Sequence, residues 1–288
     1  MLTYPGAAFK PLGPQTEPSM TGHDIVCIHT MVGYLSSTDR YFRVTNGAGY
    51  QGTESHYGVG GKWGSDAVAG LDGVVYQWQD IAHQADANLD GNSTVISIET
   101  ADNAARPIQP WTLLQCEAIA RLLAWLCSVA VHADCPSTWA CHRDGIPLAL
   151  IPNTLPGRRG IGYHRQGIDP WRVEGGVKWS NSRGKDCPTE ARIAQIPAII
   201  ARAIEITQED DDMATPAEIA AAVWAAPMDG DTMGNRVYFA HRRAQAADDE
   251  LAKVRADLAV LAAKVDALTA SPVSGTVTVT GGTLTVGT

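Results

Sequence analysis

Three short runs dominated by apolar and β-branched residues constrain the fold most: Ile25-Val-Cys-Ile-His-Thr30, Gly73-Val-Val-Tyr-Gln-Trp78 and Thr94-Val-Ile-Ser-Ile-Glu-Thr100. Runs of this length and composition read as buried strands. The second and third are each entered from a turn-forming Asp-Gly or Gly-Asn-Ser. Two of the runs end on polar residues, which leaves His29 and Glu99 at strand ends. From Trp111 to about Val131, apolar positions fall three and four apart through Leu113, Leu114, Ala118, Ile119, Leu122, Leu123, Leu126 and Cys127, which predicts an amphipathic helix. A second helix is expected over roughly Glu190 to Ile206. Between the two helices, Cys135 to Lys185 is dense in Gly, Pro and Arg and holds Tyr163, Trp171 and Trp179, so it reads as an ordered functional loop with short elements. Strands mixed with helices in this way predict an α/β domain of about 205 residues.

Charge separates this domain from the rest of the chain. The protein carries a net charge of −9 with its basic residues scattered, and this excludes a general affinity for nucleic acid. The 82 residues after Ile206 hold 6 basic against 12 acidic side chains and so carry most of that negative charge. An acidic linker is expected over residues 207–215, around Gln208-Glu-Asp-Asp-Asp212. Next comes an Ala-rich helical segment, with Thr215 as N-cap, Pro216 at its first position and Glu218 completing a capping box. Val237, Ala240, Ala244, Ala247, Leu251, Val254, Leu258, Leu261, Val265 and Leu268 then alternate steps of three and four. A stripe that narrow is a coiled-coil seam. The helical segment, residues 216–270, either folds back on the first domain or self-associates, and the stripe favours a homo-oligomer through residues 237–268. Residues 271–288 alternate polar and apolar positions around Gly281-Gly282, which predicts a C-terminal β-hairpin.

An apolar share of 45% and a charged share of 18% are those of an ordinary globular protein. No stretch reaches the roughly 18 to 20 continuous apolar residues that a bilayer span needs, so membrane insertion is not expected. Met1 to Lys10 lacks a basic stretch followed by an apolar core, so no signal peptide is expected either. The cysteines at 27, 116, 127, 135, 141 and 187 are too few and too unevenly spaced for a disulfide framework. A Cys135–Cys141 bridge stays open. Cys27, Cys116 and Cys127 lie in apolar text and read as small buried hydrophobes. Cys187, in Gly184-Lys-Asp-Cys-Pro188, does not.

Three metal-competent side chains stand out by context: His29 at a strand end, His164 in Gly160-Ile-Gly-Tyr-His-Arg-Gln-Gly167, and Cys187. Imidazole and thiolate suit zinc, and a catalytic zinc keeps three protein ligands with one open position. Their spacing is too wide for a local motif.

Five pieces of text, in order, resemble the zinc amidase family that includes phage endolysin amidases, bacterial cell-wall recycling amidases and animal peptidoglycan recognition proteins. They are Val26-Cys-Ile-His-Thr30, Ser55-His-Tyr-Gly-Val59, Asp72-Gly-Val-Val-Tyr76 with Ile81-Ala-His83, Asn92 to Glu99, and Gly184-Lys-Asp-Cys-Pro188. The wording around His164 and over Ser182-Arg-Gly-Lys-Asp-Cys-Pro188 is similar to endolysins of phages infecting actinobacteria. The resemblance implies a catalytic domain over residues 1–206, built as a central mixed β-sheet flanked by helices, and N-acetylmuramoyl-L-alanine amidase activity on bacterial peptidoglycan. It implies zinc on His29, His164 and Cys187, with His142 as a rival for the second ligand because the 23-residue interval from His164 to Cys187 is long for the family. It also implies Glu99 as proton shuttle, Lys185 as the cation facing the oxyanion, and His56, His83 and Asn92 along the substrate groove. An inactive wall-binding module and a virion structural protein are the alternatives; retention of Cys187 favours the enzyme. As an endolysin, the protein would accumulate in the host cytoplasm and reach the wall after holin-type release.

Overall fold

The computed structural model describes residues 2–12, 18–44, 54–103, 109–212, 275–279 and 281–286. The chain divides into two compact units, Met1–Met213 and Ala214–Thr288. In the first, six strands form one sheet: β1 (Ala7–Phe9), β2 (Ile25–Thr30), β3 (Tyr57–Val59), β4 (Val75–Gln77), β5 (Val95–Thr100) and β6 (Gly160–Tyr163), in the order β1-β4-β3-β5-β2-β6. The sheet is mixed: β3 and β4 run antiparallel, and every other neighbouring pair is parallel. Among the described residues, no helix is long and apolar enough to cross a membrane.

The two central strands are the most apolar runs in the sequence, and they sort their side chains by parity. Val26, Ile28, Ile96 and Ile98 enter the main core, while Ile25, Cys27 and Val95 enter a smaller cluster with Ile151 and Trp179. Alternate residues of a strand point to opposite faces. The main core is closed by α3 (Leu113–Cys127) and α6 (Ile196–Asp212), which contribute Ile119, Leu122, Leu123 and Leu126 from one and Ile196, Ile199, Ala203 and Ile206 from the other. Thr112 caps α3: its hydroxyl accepts from the backbone N–H of Gln115 at 3.0 Å while the Gln115 side chain accepts from the N–H of Thr112 at 3.1 Å.

Two sequence expectations shift. The helix expected over Glu190 to Ile206 is split into α5 (Glu190–Ile193) and α6, with Pro197 in the first turn of α6, where a missing N–H costs nothing. At its far end α6 continues through the acidic run to Asp212, which the composition assigns to a linker. The long Gly- and Pro-rich stretch holds α4 (Ala140–Asp144) and β6. In the second unit, Gly275–Val279 and Gly282–Val286 pair antiparallel. The seam positions Val237 to Leu268 lie outside the described residues.

The helix α1 (Leu35–Val44) is anchored by a carboxylate from the neighbouring α2 (Gly64–Ala69). Asp66, fully buried, accepts from the backbone N–H of Leu35 at 2.7 Å, of Ser36 at 3.0 Å and of Gly61 at 3.3 Å, and from the Ser36 hydroxyl at 2.8 Å. The first N–H groups of a helix have no partner within it, and a negative charge there also complements the helix dipole. Asp66→Ala is therefore expected to cost about 2–3 kcal/mol, read as a lowered urea midpoint, with Asp66→Asn losing less. An unchanged midpoint in the alanine variant would refute this anchoring role.

Candidate metal centre and active site

Parity and register bring the candidate residues to one place. In the parallel pairing of β2 with β5, His29 lies directly beside Glu99. Both occupy odd positions, so both face away from the α3 core, on the side of Cys27 and Val95. On the other flank of β2, Ile28 is level with Tyr163, the last residue of β6, so His164 follows onto the same face as His29. The carboxyl ends of three adjacent parallel strands thus meet, the usual location of a site in open α/β sheets. Cys187 arrives from the loop before α5, its Sγ held 3.2 Å from the backbone N–H of Thr30.

Donor atoms of His29, His164 and Cys187 all lie within 4.8 Å of one another, and all three residues are buried. The two imidazoles are 4.2 Å apart between ring centres. Each is oriented through its Nε2–H, which donates to Asn88 Oδ1 at 3.0 Å in His29 and to the carbonyl oxygen of Trp179 at 3.0 Å in His164. That leaves Nδ1 of both rings as a lone pair. In His164 this atom is buried without a hydrogen-bond partner. In His29 it lies 3.6 Å from Glu99 Oε1. Ligating histidines characteristically spend the other ring nitrogen on such a carbonyl. Burial holds the His29 imidazole well below its ordinary value and His164 down to about 4, so both are neutral, as ligands must be. Burial pushes the Cys187 thiol up to about 12, with Glu99 adding to the effect and Lys185 opposing it. A cation in contact with Sγ would supply the missing stabilisation of its thiolate. Two oriented lone pairs and a buried sulfur fit a borderline-soft metal ion such as zinc.

Glu99 completes the cluster. Its side chain is 19% exposed, and its Oε2 has no hydrogen-bond partner. Desolvation pushes the carboxyl up to about 7; Lys185 and Arg192 pull it down, and Asp102 pushes it up. Lys185 is exposed on the loop leading to Cys187, where its charge acts on Glu99, both histidines and the thiol.

The remaining candidates lie elsewhere. His142 stands in α4 and is not part of the His29–His164–Cys187 group. His56 is fully buried, with Nε2 2.9 Å from the His83 carbonyl and Nδ1 accepting from Ser97 N at 3.0 Å. Both nitrogens are consumed in the core, so it offers a groove nothing. Asn92 accepts from the N–H of Asn88 at 2.7 Å and donates to Asp86 at 3.1 Å. It holds the loop that carries Asn88 instead of reaching outward. His83 is half-buried and bridges to Ser19.

Residues 19–146 match the Amidase_2 family, described as N-acetylmuramoyl-L-alanine amidase. The matched region is similar to an amidase domain. The match contains His29 and Glu99 and stops before His164, Lys185 and Cys187, which the fold brings back to the amidase residues across β2. Among solved structures, the chain is similar to the N-acetylmuramoyl-L-alanine amidase LysC from Clostridium intestinale URNW, at 12% identity and TM-score 0.43, covering 69% of this chain and 99% of that one. It is also similar to the Staphylococcus aureus hydrolase AmiA in complex with its ligand, at 11% identity and TM-score 0.42, covering 70% and 84%. A third is a mutant endolysin from Bacillus subtilis, at 16% identity and TM-score 0.38, covering 68% and 99%. No curated protein matches the chain.

Three positioning groups of the amidase site carry no local signal in the sequence: Asn88 behind His29, the Trp179 carbonyl behind His164, and Arg192. Arg192 is fully buried and donates to Thr30 Oγ1 at 2.9 Å, Thr100 Oγ1 at 3.2 Å, the Ala101 carbonyl at 3.1 Å and the Gln109 carbonyl at 2.9 Å. It ties together the ends of β2 and β5, from which His29 and Glu99 project. Arg192→Met leaves these acceptors unpaired in the core and is expected to cost about 3 kcal/mol in urea unfolding. Arg192→Lys should recover little of the loss, because a single ammonium cannot reach four acceptors in a plane. Full recovery with lysine would refute the bridging role.

Proposed function

We propose that the chain hydrolyses the amide between the lactyl group of N-acetylmuramic acid and the first L-alanine of the peptidoglycan stem peptide, with zinc held by His29, His164 and Cys187. The observation that carries this reading is the convergence of three buried donors beside a largely enclosed carboxyl group, in a chain whose residues 19–146 match the Amidase_2 family. When bound, zinc would polarise the scissile carbonyl and make a water molecule acidic enough to lose a proton near neutral pH.

The protein's own groups do the rest. Asn88 and the Trp179 carbonyl fix the two imidazoles, and the N–H of Thr30 holds the sulfur. Glu99 takes the proton from the attacking water and delivers it to the leaving alanine nitrogen as the C–N bond breaks, so the carboxyl group ends as it began. A carboxyl group balanced near neutrality suits both halves of that exchange. Lys185 supplies positive charge towards the oxyanion that develops on the carbonyl oxygen. The reading as a lytic enzyme of a phage, released from the host cytoplasm to the wall, is supported by the endolysin-like wording around His164 and Cys187. Self-association through residues 237–268 is supported by the uninterrupted seam, and a C-terminal hairpin by its alternation.

Three experiments test this. With purified cell walls, the protein should free L-alanine amino groups, and a chelator should abolish the release; new reducing sugar ends in their place would show a glycosidase. Cys187→Ala and His164→Ala should each lose the activity and the zinc of this site while His142→Ala keeps both, and the opposite pattern for the two histidines would overturn the ligand assignment. Glu99→Gln should retain zinc and lower the rate by a factor on the order of 10² to 10⁴. A rate within a few-fold of the parent would remove Glu99 from the chemistry.

A further inference from the structure

A second group of metal-competent side chains lies at the opposite end of β2. Donor atoms of His23, His132, Cys135 and Cys141 all fall within 4.8 Å of one another; three of the residues are buried and Cys135 is partly so. His23 precedes β2, His132 ends a 3-10 turn after α3, Cys135 comes in the next loop and Cys141 begins α4. The six residues from His23 to His29 span about 20 Å at the rise of a strand, so this is a separate centre from the amidase site.

The hydrogen bonds decide how these histidines are protonated. Nε2 of His23 lies 2.7 Å from the Ile81 carbonyl, and Nε2 of His132 lies 2.8 Å from the Leu126 carbonyl. A carbonyl only accepts, so each Nε2 carries the hydrogen and each neutral ring turns a lone pair inward on Nδ1. Those two atoms face each other at 3.1 Å. Both rings are buried, and a proton shared between them would leave a charge enclosed without a counter-ion. A thiol proton from Cys135 can reach one Nδ1 and leaves the other facing it. A cation between them satisfies both.

The distances match one coordination geometry. A tetrahedral centre with bonds of about 2.0 Å to nitrogen and 2.3 Å to sulfur has N···N edges of about 3.3 Å and N···S edges of about 3.6 Å. The cluster has 3.1 Å between the nitrogens, and 3.6 and 4.0 Å from Cys135 Sγ to His23 and His132. Both rings already have the outer carbonyl that ligating histidines use. Trp139 packs edge-on against His23 at 5.2 Å. Two thiolates would neutralise a divalent charge, and four protein donors leave no position open for water, as in structural rather than catalytic zinc sites.

We propose that His23, His132, Cys135 and Cys141 form a closed, structural zinc site that fastens the turn after α3 and the start of α4 to the beginning of β2. Thiolate and imidazole donors select zinc over magnesium or calcium. The site is independent of the catalytic reading.

The test uses the full chain, purified under reducing conditions and analysed for metal. The parent should carry two zinc ions. Cys187→Ala should keep one, and Cys135→Ser/Cys141→Ser should lose one and unfold at a lower temperature. Because the double variant could fail to fold, the deciding measurement is made on Cys187→Ala reconstituted with cobalt. With Cys187 gone, the thiolate-to-cobalt absorption and the visible bands of a tetrahedral ion can come only from the second site, and Cys135 and Cys141 should resist alkylation until a chelator is added. A Cys187→Ala protein that binds no metal, or a mass that shows Cys135 joined to Cys141 as a disulfide, would overturn the proposal. Parent and Cys187→Ala proteins that each carry one ion would uphold this site and count against the catalytic centre instead.

Discussion

The structure of the site depends on one pairing, the parallel register that sets His29 of β2 beside Glu99 of β5. Shifting either strand by one residue would exchange its faces, carrying His29 or Glu99 into the α3 core and Ile28 or Ile98 out of it. The apolar positions therefore set the alignment of His29 with Glu99, and the 3.6 Å approach of the two side chains follows from it. Hydrophobic burial of Val26, Ile28, Ile96 and Ile98 fixes the register, and the polar ends are placed by parity. The same parity governs β6, where Ile161 enters the main core while Gly160, Gly162 and then His164 belong to the opposite face. Gly162 lies under the ring of Trp179, and a Cβ at Gly167 would overlap that side chain as well. The indole is thereby seated where its backbone carbonyl can hold His164.

This explains which parts were legible in the sequence. β2 and β5 were readable because a strand buried on both faces is written as an unbroken apolar run, and α3 because its apolar positions repeat at helical spacing. β3 was visible only through the resemblance: its three residues, Tyr57, Gly58 and Val59, are too few to show a period, and Gly58 is required by the close approach of Trp78 and Leu35. The division of the last helix turns on Pro197, which composition alone admits equally as a first-turn residue. Of the site, the ligand candidates His29, His164 and Cys187 were found by context and resemblance. Asn88, Trp179 and Arg192 were not, because what they do is defined by partners far away in the chain. His29 lies 59 residues from Asn88, and Thr30 lies 162 from Arg192. His56 illustrates the converse: family-like text surrounds it, yet its ring is a satisfied core element.

The cysteines show the same limit. Six thiols in a chain of this length give no local motif, and their roles separate only in three dimensions. Cys27 and Cys127 are enclosed, and burial alone pushes the Cys127 thiol well up from its ordinary value. Such a thiol is an inert hydrophobe. Cys187, Cys135 and Cys141 differ in having imidazole nitrogens with inward lone pairs as neighbours. Burial raises the Cys27 and Cys127 thiols and the Cys135 and Cys187 thiols alike, so enclosure does not distinguish a ligand from a packing residue; the orientation of the surrounding nitrogens does.

The two clusters also differ in what closes them, and this bears on why one chain would carry both. Around His29, three protein donors are joined by Glu99, whose Oε2 has no partner, and by an exposed Lys185, so the fourth direction is occupied by groups suited to a substrate. Around His23, the fourth direction is taken by another protein sulfur. The proposed chemistry at the end of β2 needs that strand held firmly, because drift of His29 relative to Glu99 would misplace the proton transfer proposed for Glu99. Arg192 clamps the strand at its carboxyl end, and four donors drawn from three separate elements gather at its beginning. The stretch from Cys135 to Lys185 is rich in Gly and Pro and poor in regular structure, yet it must present His164 in a fixed donor geometry. Fastening the first part of that stretch to β2 meets this demand before β6 delivers the histidine.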